Sequence, residues 1–163
     1  MHQPKNQVAA ESADTVAGDA SGHDPGYNPL KETLARAEEA TTALRANYTK
    51  WARADVDKTQ SLLDAAKVDP AIRREQLDHL YAAMHNMKGQ GSSFGYPLVT
   101  RISQSLCRLL APGRAIDDAG LKVAQAHLDA LKLVLDQQIA GKGGEIGEKL
   151  GARLEGLVNG AGR

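Results

Sequence analysis

An all-α fold is predicted by three features of the sequence. Apolar residues recur at steps of three and four, no run alternates with a period of two for long enough to demand a strand, and aromatics are scarce. One Trp, one Phe and four Tyr are too few for an aromatic reader of single-stranded nucleic acid or a tyrosine-rich β-sandwich core. The 163 residues allow one domain and a tail. Twenty basic and twenty acidic side chains leave no net field to gather nucleic acid or an anionic membrane, so neither is expected as a partner. Cys107 is the single cysteine, and neither a signal-peptide pattern nor an 18-residue apolar run is present. A reducing, cytoplasmic setting is the expectation.

Residues 1–29 carry Gly18, Gly22, Pro25, Gly26 and Pro29 with almost no large aliphatics, and Lys5 stands against Glu11, Asp14, Asp19 and Asp24. Such a segment cannot bury enough apolar surface to offset its ordering entropy, so a disordered tail is expected, followed by a helical domain over 30–159. A first helix is predicted from Leu30, Leu34, Ala37, Thr41, Leu44, Tyr48 and Trp51, which share one face. Asp55 and Lys58 would fall on that stripe. The apolar face therefore shifts to Val56, Leu62 and Leu63, with a bend or break expected near 52–56 and an end at Asp69-Pro70.

The second helix is expected from about Pro70, with Asp69 as N-cap and Leu77, Leu80, Met84, Met87 and Phe94 as its buried stripe, running to about Gly95. A third opens at Pro97, shows Val99, Ile102, Leu106 and Leu109, and ends before Pro112-Gly113. A fourth is capped by Asp117 or Asp118 and shows Leu121, Ala124, Leu128, Leu131 and Leu135. After the break at 141–144, Ile146, Leu150, Leu154 and Leu157 mark a shorter helix. Short links favour antiparallel neighbours, with four helices bundled either from Leu30 onward or from Pro70 onward.

The most unusual stretch is His85-Asn86-Met87-Lys88-Gly89-Gln90-Gly91-Ser92-Ser93-Phe94-Gly95, which sets three glycines and two serines in a helical stripe. Each interior glycine costs about 1 kcal/mol relative to alanine, so a bare backbone surface is needed for close helix packing or close approach of a partner. At 100° per residue Met84 and Met87 point to the core, while Asp78, Tyr81, His85, Lys88, Gly89 and Ser92 share another face. A neutral imidazole on an uncrowded face is a nucleophile near pH 7, and a lysine at i+3 would neutralise phosphoryl oxygens. The plain alternative is a surface histidine beside a lysine, with glycines that serve only interhelical packing.

His85-x-x-Lys88-Gly89, small residues, and then Phe94-Gly95 at nine and ten positions after the histidine resemble the signature of histidine-containing phosphotransfer (Hpt) domains. The resemblance in helix order extends over about residues 30–158. It implies an antiparallel four-helix bundle, here with an additional N-terminal helix, whose exposed histidine takes a phosphoryl group from an aspartyl phosphate or a kinase and passes it to a receiver aspartate. Carried over, His85 would be the phosphoacceptor through Nε2, Lys88 would steady the phosphoryl oxygens and Gly89 would give clearance for the receiver. Ser92 would hydrogen-bond the phosphoryl group or the partner, and Gly95 would end the helix or allow tight packing at its end. Gln104 is the candidate partner of the imidazole, with Cys107 and Arg108 standing where an acidic residue is expected. Asp78 and Tyr81 complete the partner-binding face.

The implied partners are response-regulator receiver domains and a sensor or hybrid histidine kinase. No cofactor is expected, since neither G-x-x-x-x-G-K-[ST] nor a kinase glycine-rich loop is present. No metal site is expected: His79 and His85 are six apart, His127 has no matching carboxylates, and Asp55-x-Asp57-x-Thr59 lacks the glycine and glutamate of a calcium loop. Cys107 beside Leu106 and Leu109 is read as a small buried hydrophobe. A monomer is expected, with the Leu30–Trp51 stripe absorbed by the bundle core. The competing reading is a non-catalytic helical adaptor, a degenerate Hpt domain that binds a partner through the same glycine-rich face.

Overall fold

The computed structural model describes residues 26–161. The expected tail lies, up to residue 25, outside the described residues. Five helices follow: α1 (Pro29–Val68), α2 (Arg73–Gly91), α3 (Pro97–Leu109), α4 (Asp118–Asp136) and α5 (Gly144–Gly160), with a 3-10 turn over Ser92–Phe94. Among the described residues there is no strand, and no helix is long and apolar enough to cross a membrane.

The described residues divide into two units, one ending at Arg36 and the other beginning at Ala37. In the first, α1 opens as its sequence requires, with Pro29 in the first turn. The Asn28 carboxamide oxygen accepts from the Leu30 and Lys31 amides at 3.0 and 3.2 Å. In the second, α3 is the central element. Leu98, Val99, Ile102, Leu106 and Leu109 are all buried, and α3 packs against α2, α4 and α5. Fully burying a leucine or isoleucine contributes about 1.5–3 kcal/mol, which makes this row a large contributor to cohesion.

Four expectations need correction. No break interrupts α1 near residues 52–56. Asp55 and Lys58 stand on the solvent side, 3.3 Å apart, while the buried row runs Tyr48, Ala52, Val56, Thr59, Leu63 and Ala66. Polar ties hold this half of α1 to α4: Arg53 Nε donates to Asp136 at 2.7 Å, and the Gln60 and Gln125 carboxamides donate to one another at 2.9 Å. Secondly, of the large apolar residues in the predicted α1 stripe only Tyr48 is buried; Leu30, Leu34, Leu44 and Trp51 are exposed. The pattern identified an apolar face, of which only Tyr48 is covered, by Phe94 and Tyr96.

Thirdly, α2 starts at Arg73, because the Asp69 carboxylate accepts from the Ala71 amide at 2.8 Å and spends residues 70–72 on a turn. The helix also gives way to the 3-10 turn after Gly91, leaving Phe94 half-buried and stacked on Tyr48 at 4.7 Å. Fourthly, Ile146 is exposed, and α5 is seated through Leu154 and Val158. The Arg101 guanidinium fixes α5 to α3, donating to Glu148 at 2.7 Å and to Glu155 at 2.8 and 3.1 Å. Asp117 caps α4 as expected, accepting from the Gly120 amide at 2.8 Å.

His127, fully buried on α4, is locked by two hydrogen bonds. Nδ1–H donates to the Val123 carbonyl at 2.7 Å, and Nε2 accepts from the Ser105 hydroxyl at 3.0 Å. Burial, chiefly, holds the ring below its ordinary pKa, opposed by the Val123 bond and aided by nearby Arg108. The unfolded chain therefore takes up the proton more readily. This contribution to stability is complete above the ordinary histidine value of about 6.5 and is lost as the pH falls from there through the lowered folded value. Urea unfolding at about pH 7.5 and about pH 5.5 should show lower stability in acid, with a smaller difference in His127→Gln. Equal acid losses in both proteins would place the sensitivity elsewhere.

Candidate functional site

The core stripe of α2 dictates where its polar face points. Leu77, Leu80, Met84, Met87 and Gly91 are buried, and His85, one position past Met84, is turned about 100° away from them into solvent. One turn before it Tyr81 is half-buried, its ring centroid 6.1 Å from that of His85 with 28° between the planes. Lys88 is half-buried at i+3, and its charge opposes the burial that pushes the Cys107 thiol up. Cys107 is buried, as the sequence suggested.

The three glycines after His85 do three different things. A Cβ built at Gly89 meets nothing within 4 Å, so this glycine leaves open space beside the histidine and takes no part in helix packing. At Gly91 the same atom would lie 2.6 Å from Thr100 Oγ1 and 2.9 Å from both the Thr100 amide nitrogen and the Tyr96 carbonyl oxygen. Only a glycine lets α2 and the start of α3 approach this closely. Gly95 has φ +85°, and its amide donates to the Ser92 carbonyl at 3.1 Å to close the turn. Its own carbonyl accepts from the Gly141 amide at 2.8 Å, which ties the turn to the α4–α5 connection.

Ser92 is exposed at the end of the His85 face, but its hydroxyl is engaged, donating to Thr100 Oγ1 at 3.1 Å. Thr100 also accepts from the Ser92 amide at 2.8 Å and donates to the Lys88 carbonyl at 3.1 Å. This threonine, which the sequence reading passed over, holds the C-terminal end of the histidine helix. Its signal was a small hydroxyl residue one turn into the third helix, facing a glycine. Asp78 lies on the same side of α2 and is held by Arg74, whose Nε donates to it at 2.8 Å. That bond keeps the carboxyl below its usual range. Arg74 also donates to the Arg114 and Leu110 carbonyls at 3.2 and 3.3 Å, anchoring the start of α2 to the end of α3.

Gln104 is exposed on α3 and makes no hydrogen bond to His85; the imidazole's neighbour is the Tyr81 ring. Among the described residues no group of three or more His, Cys, Asp or Glu could hold a metal ion. What the face offers is an accessible imidazole, one cation a turn away, and room beside both. It suits transfer of a small anionic group delivered by another molecule.

The model of the Hpt domain family matches residues 32–141, more than half of the chain. No curated protein and no solved structure matches it.

The glycines give opposite expectations in denaturant unfolding. Gly89→Ala should raise stability by up to about 1 kcal/mol, from helix propensity alone. Gly91→Ala should lower it by about 1–3 kcal/mol, as overpacking pushes α2 off α3. Equal effects would remove the distinction drawn between the two positions.

Proposed function

The chain belongs to the Hpt domain family, and from that premise we propose that it is a phosphorelay intermediate with His85 as its phosphoacceptor. Involvement in histidine phosphotransfer follows from the family; the residues and steps are our reading. The observation that carries it is the pairing of an exposed His85 with Lys88 one turn on and open space at Gly89, all within the matched segment.

His85 Nε2 attacks the phosphorus of a receiver's aspartyl phosphate. The N–P bond forms as the P–O bond to the aspartate breaks, the carboxylate leaves, and the imidazole's proton stays on Nδ1. The reverse step loads the next receiver. Phosphoryl transfer asks little covalent chemistry of the protein beyond positioning and charge neutralisation, which here falls to Lys88 on this chain and to the receiver's own pocket. Tyr81 supports one side of the ring, and Gly89 gives the receiver room to close over the histidine. Ser92 and Gly95 shape the far end of the face, and Gln104, exposed on α3, stands as a candidate contact for the receiver. A sensor or hybrid kinase stands upstream, and the setting is cytoplasmic.

The four family helices are read as antiparallel α1 to α4, since the match ends at residue 141 and α5 begins at Gly144. On this reading α5 is the appended element.

Incubating the protein with phosphorylated receiver domains should place acid-labile, alkali-stable phosphate on His85. His85→Gln should abolish acceptance with helical content unchanged in circular dichroism. Labelling that persists in this variant would move the acceptor, and a folded wild type that no receiver or kinase labels would favour the adaptor. Gly89→Leu should slow transfer at least about tenfold while leaving the fold intact, because the added bulk projects only toward the partner. Unchanged transfer rates would remove the clearance role.

A further inference from the structure

Resting on the phosphoacceptor reading, we infer that the receiver's footprint runs past the end of α2 onto α1, where Arg45 meets a carboxylate at the receiver's margin and selects among receivers by that charge. The contact begins at Gly95. A Cβ built there would lie 2.8 Å from Arg45 Nε and 3.1 Å from its Cζ and Nη2, so the guanidinium rests against bare backbone at the far end of the His85 face. The φ of +85° already favours glycine at this turn, and the missing Cβ also admits the arginine. Tyr48, one turn after Arg45, holds α1 in this place. Its ring stacks on Phe94 at 4.7 Å and tilts against Tyr96 at 5.6 Å.

The charge of Arg45 has no answer on its own helix. Arg36, Arg53 and Arg74 are each paired with a carboxylate one turn away, at Glu32, Asp57 and Asp78. One turn to either side of Arg45 stand Thr41, Thr42, Tyr48 and Thr49, none of which is a counter-ion. Arg45 is exposed, and among the described residues it enters no ion pair. Packing against backbone orients a guanidinium without neutralising it, which lowers the ordering cost of pairing it with an incoming carboxylate in the two-pronged geometry that suits both groups.

Reach decides the occupant. From His85 to Gly95 ten residues of helical rise span about 15 Å. A standard interface covers about 800 Å² on each partner, a disc of about 16 Å radius. A receiver seated over His85 therefore has Arg45 under its margin, with the exposed Ser92 between the two. At that distance Arg45 does not touch the transferred phosphoryl group. A charge at the margin acts on encounter and on choice of partner rather than on the bound step.

The test is transfer from a phosphorylated receiver that labels the wild type, with receiver concentration varied. Arg45→Glu should lower the second-order rate about three- to tenfold at about 50 mM salt, and Arg45→Ala by less. The gap should close at about 0.5 M salt, and the first-order rate at saturating receiver should not change. Arg45→Lys, which keeps the charge, should recover most of the rate. Phosphoramidate, a small donor that needs no docking surface, should label His85 equally in all of these proteins. No label on His85 from either donor would overturn the phosphoacceptor reading and this inference with it. With His85 labelled, Arg45→Glu as fast as wild type toward the receiver would overturn this inference alone. So would a slowing that persists at high salt, or one that follows a fall in the urea unfolding midpoint, since Arg45 would then serve only the fold.

Discussion

The close approach of α2 to the start of α3 is the contact on which the rest of the His85 face depends. Bare backbone at Gly91 lets Thr100 come within reach, and Thr100 then bonds the Lys88 carbonyl and the Ser92 amide and hydroxyl. This contact sets the rotation of α2 about its own axis. Met84 and Met87 are turned into the core by the same rotation that carries His85 outward. A side chain at position 91 would push the helices apart and move the imidazole with them, although the two residues are six positions apart and make no contact with each other. At the other end of α2, Arg74 performs the complementary task, bridging Asp78 to carbonyls at the end of α3.

Around this pair the fold uses polar anchors where apolar burial runs out. Arg101 clamps α5 by two glutamates, and a Cβ at Gly151 would sit 2.7 Å from its guanidinium, so α5 rests flat on that side chain. Reciprocal carboxamide bonds between Gln60 and Gln125 join α1 to α4. Partly exposed ion pairs contribute little each, about 0–1 kcal/mol, and the role of these bonds is to fix register, while the cohesion comes from the buried apolar core. His127 is placed fully inside, and both of its ring nitrogens are satisfied there, at Val123 and Ser105.

Much of this was legible from residue order. The helices after Pro97, the Asp117 cap and the outward face of His85 follow from spacing and capping chemistry, because these are local properties of a helix. The three glycines were legible as a group but not as individuals. Whether a missing Cβ faces solvent, as at Gly89, or another backbone, as at Gly91, depends on what stands opposite, and that residue is nine positions away in sequence. Gln104 illustrates the same limit. Its place on α3 was readable, but hydrogen bonding to His85 depends on a rotation between helices that no single-helix pattern encodes.

By itself, then, the sequence determined that the chain is helical, where most helices begin and end, and which side of α2 carries the nucleophile candidate. These follow from backbone capping and from a 3.6-residue period that every residue reports. Tertiary structure alone decided which apolar faces are covered. The stripe from Leu30 to Trp51 and the row from Leu98 to Leu109 have similar patterns, yet Leu30, Leu34, Leu44 and Trp51 of the first are exposed while Leu98, Val99, Ile102, Leu106 and Leu109 of the second are buried. Periodicity states that a face is apolar; burial requires a second surface, and the second surface is supplied by residues distant in the chain.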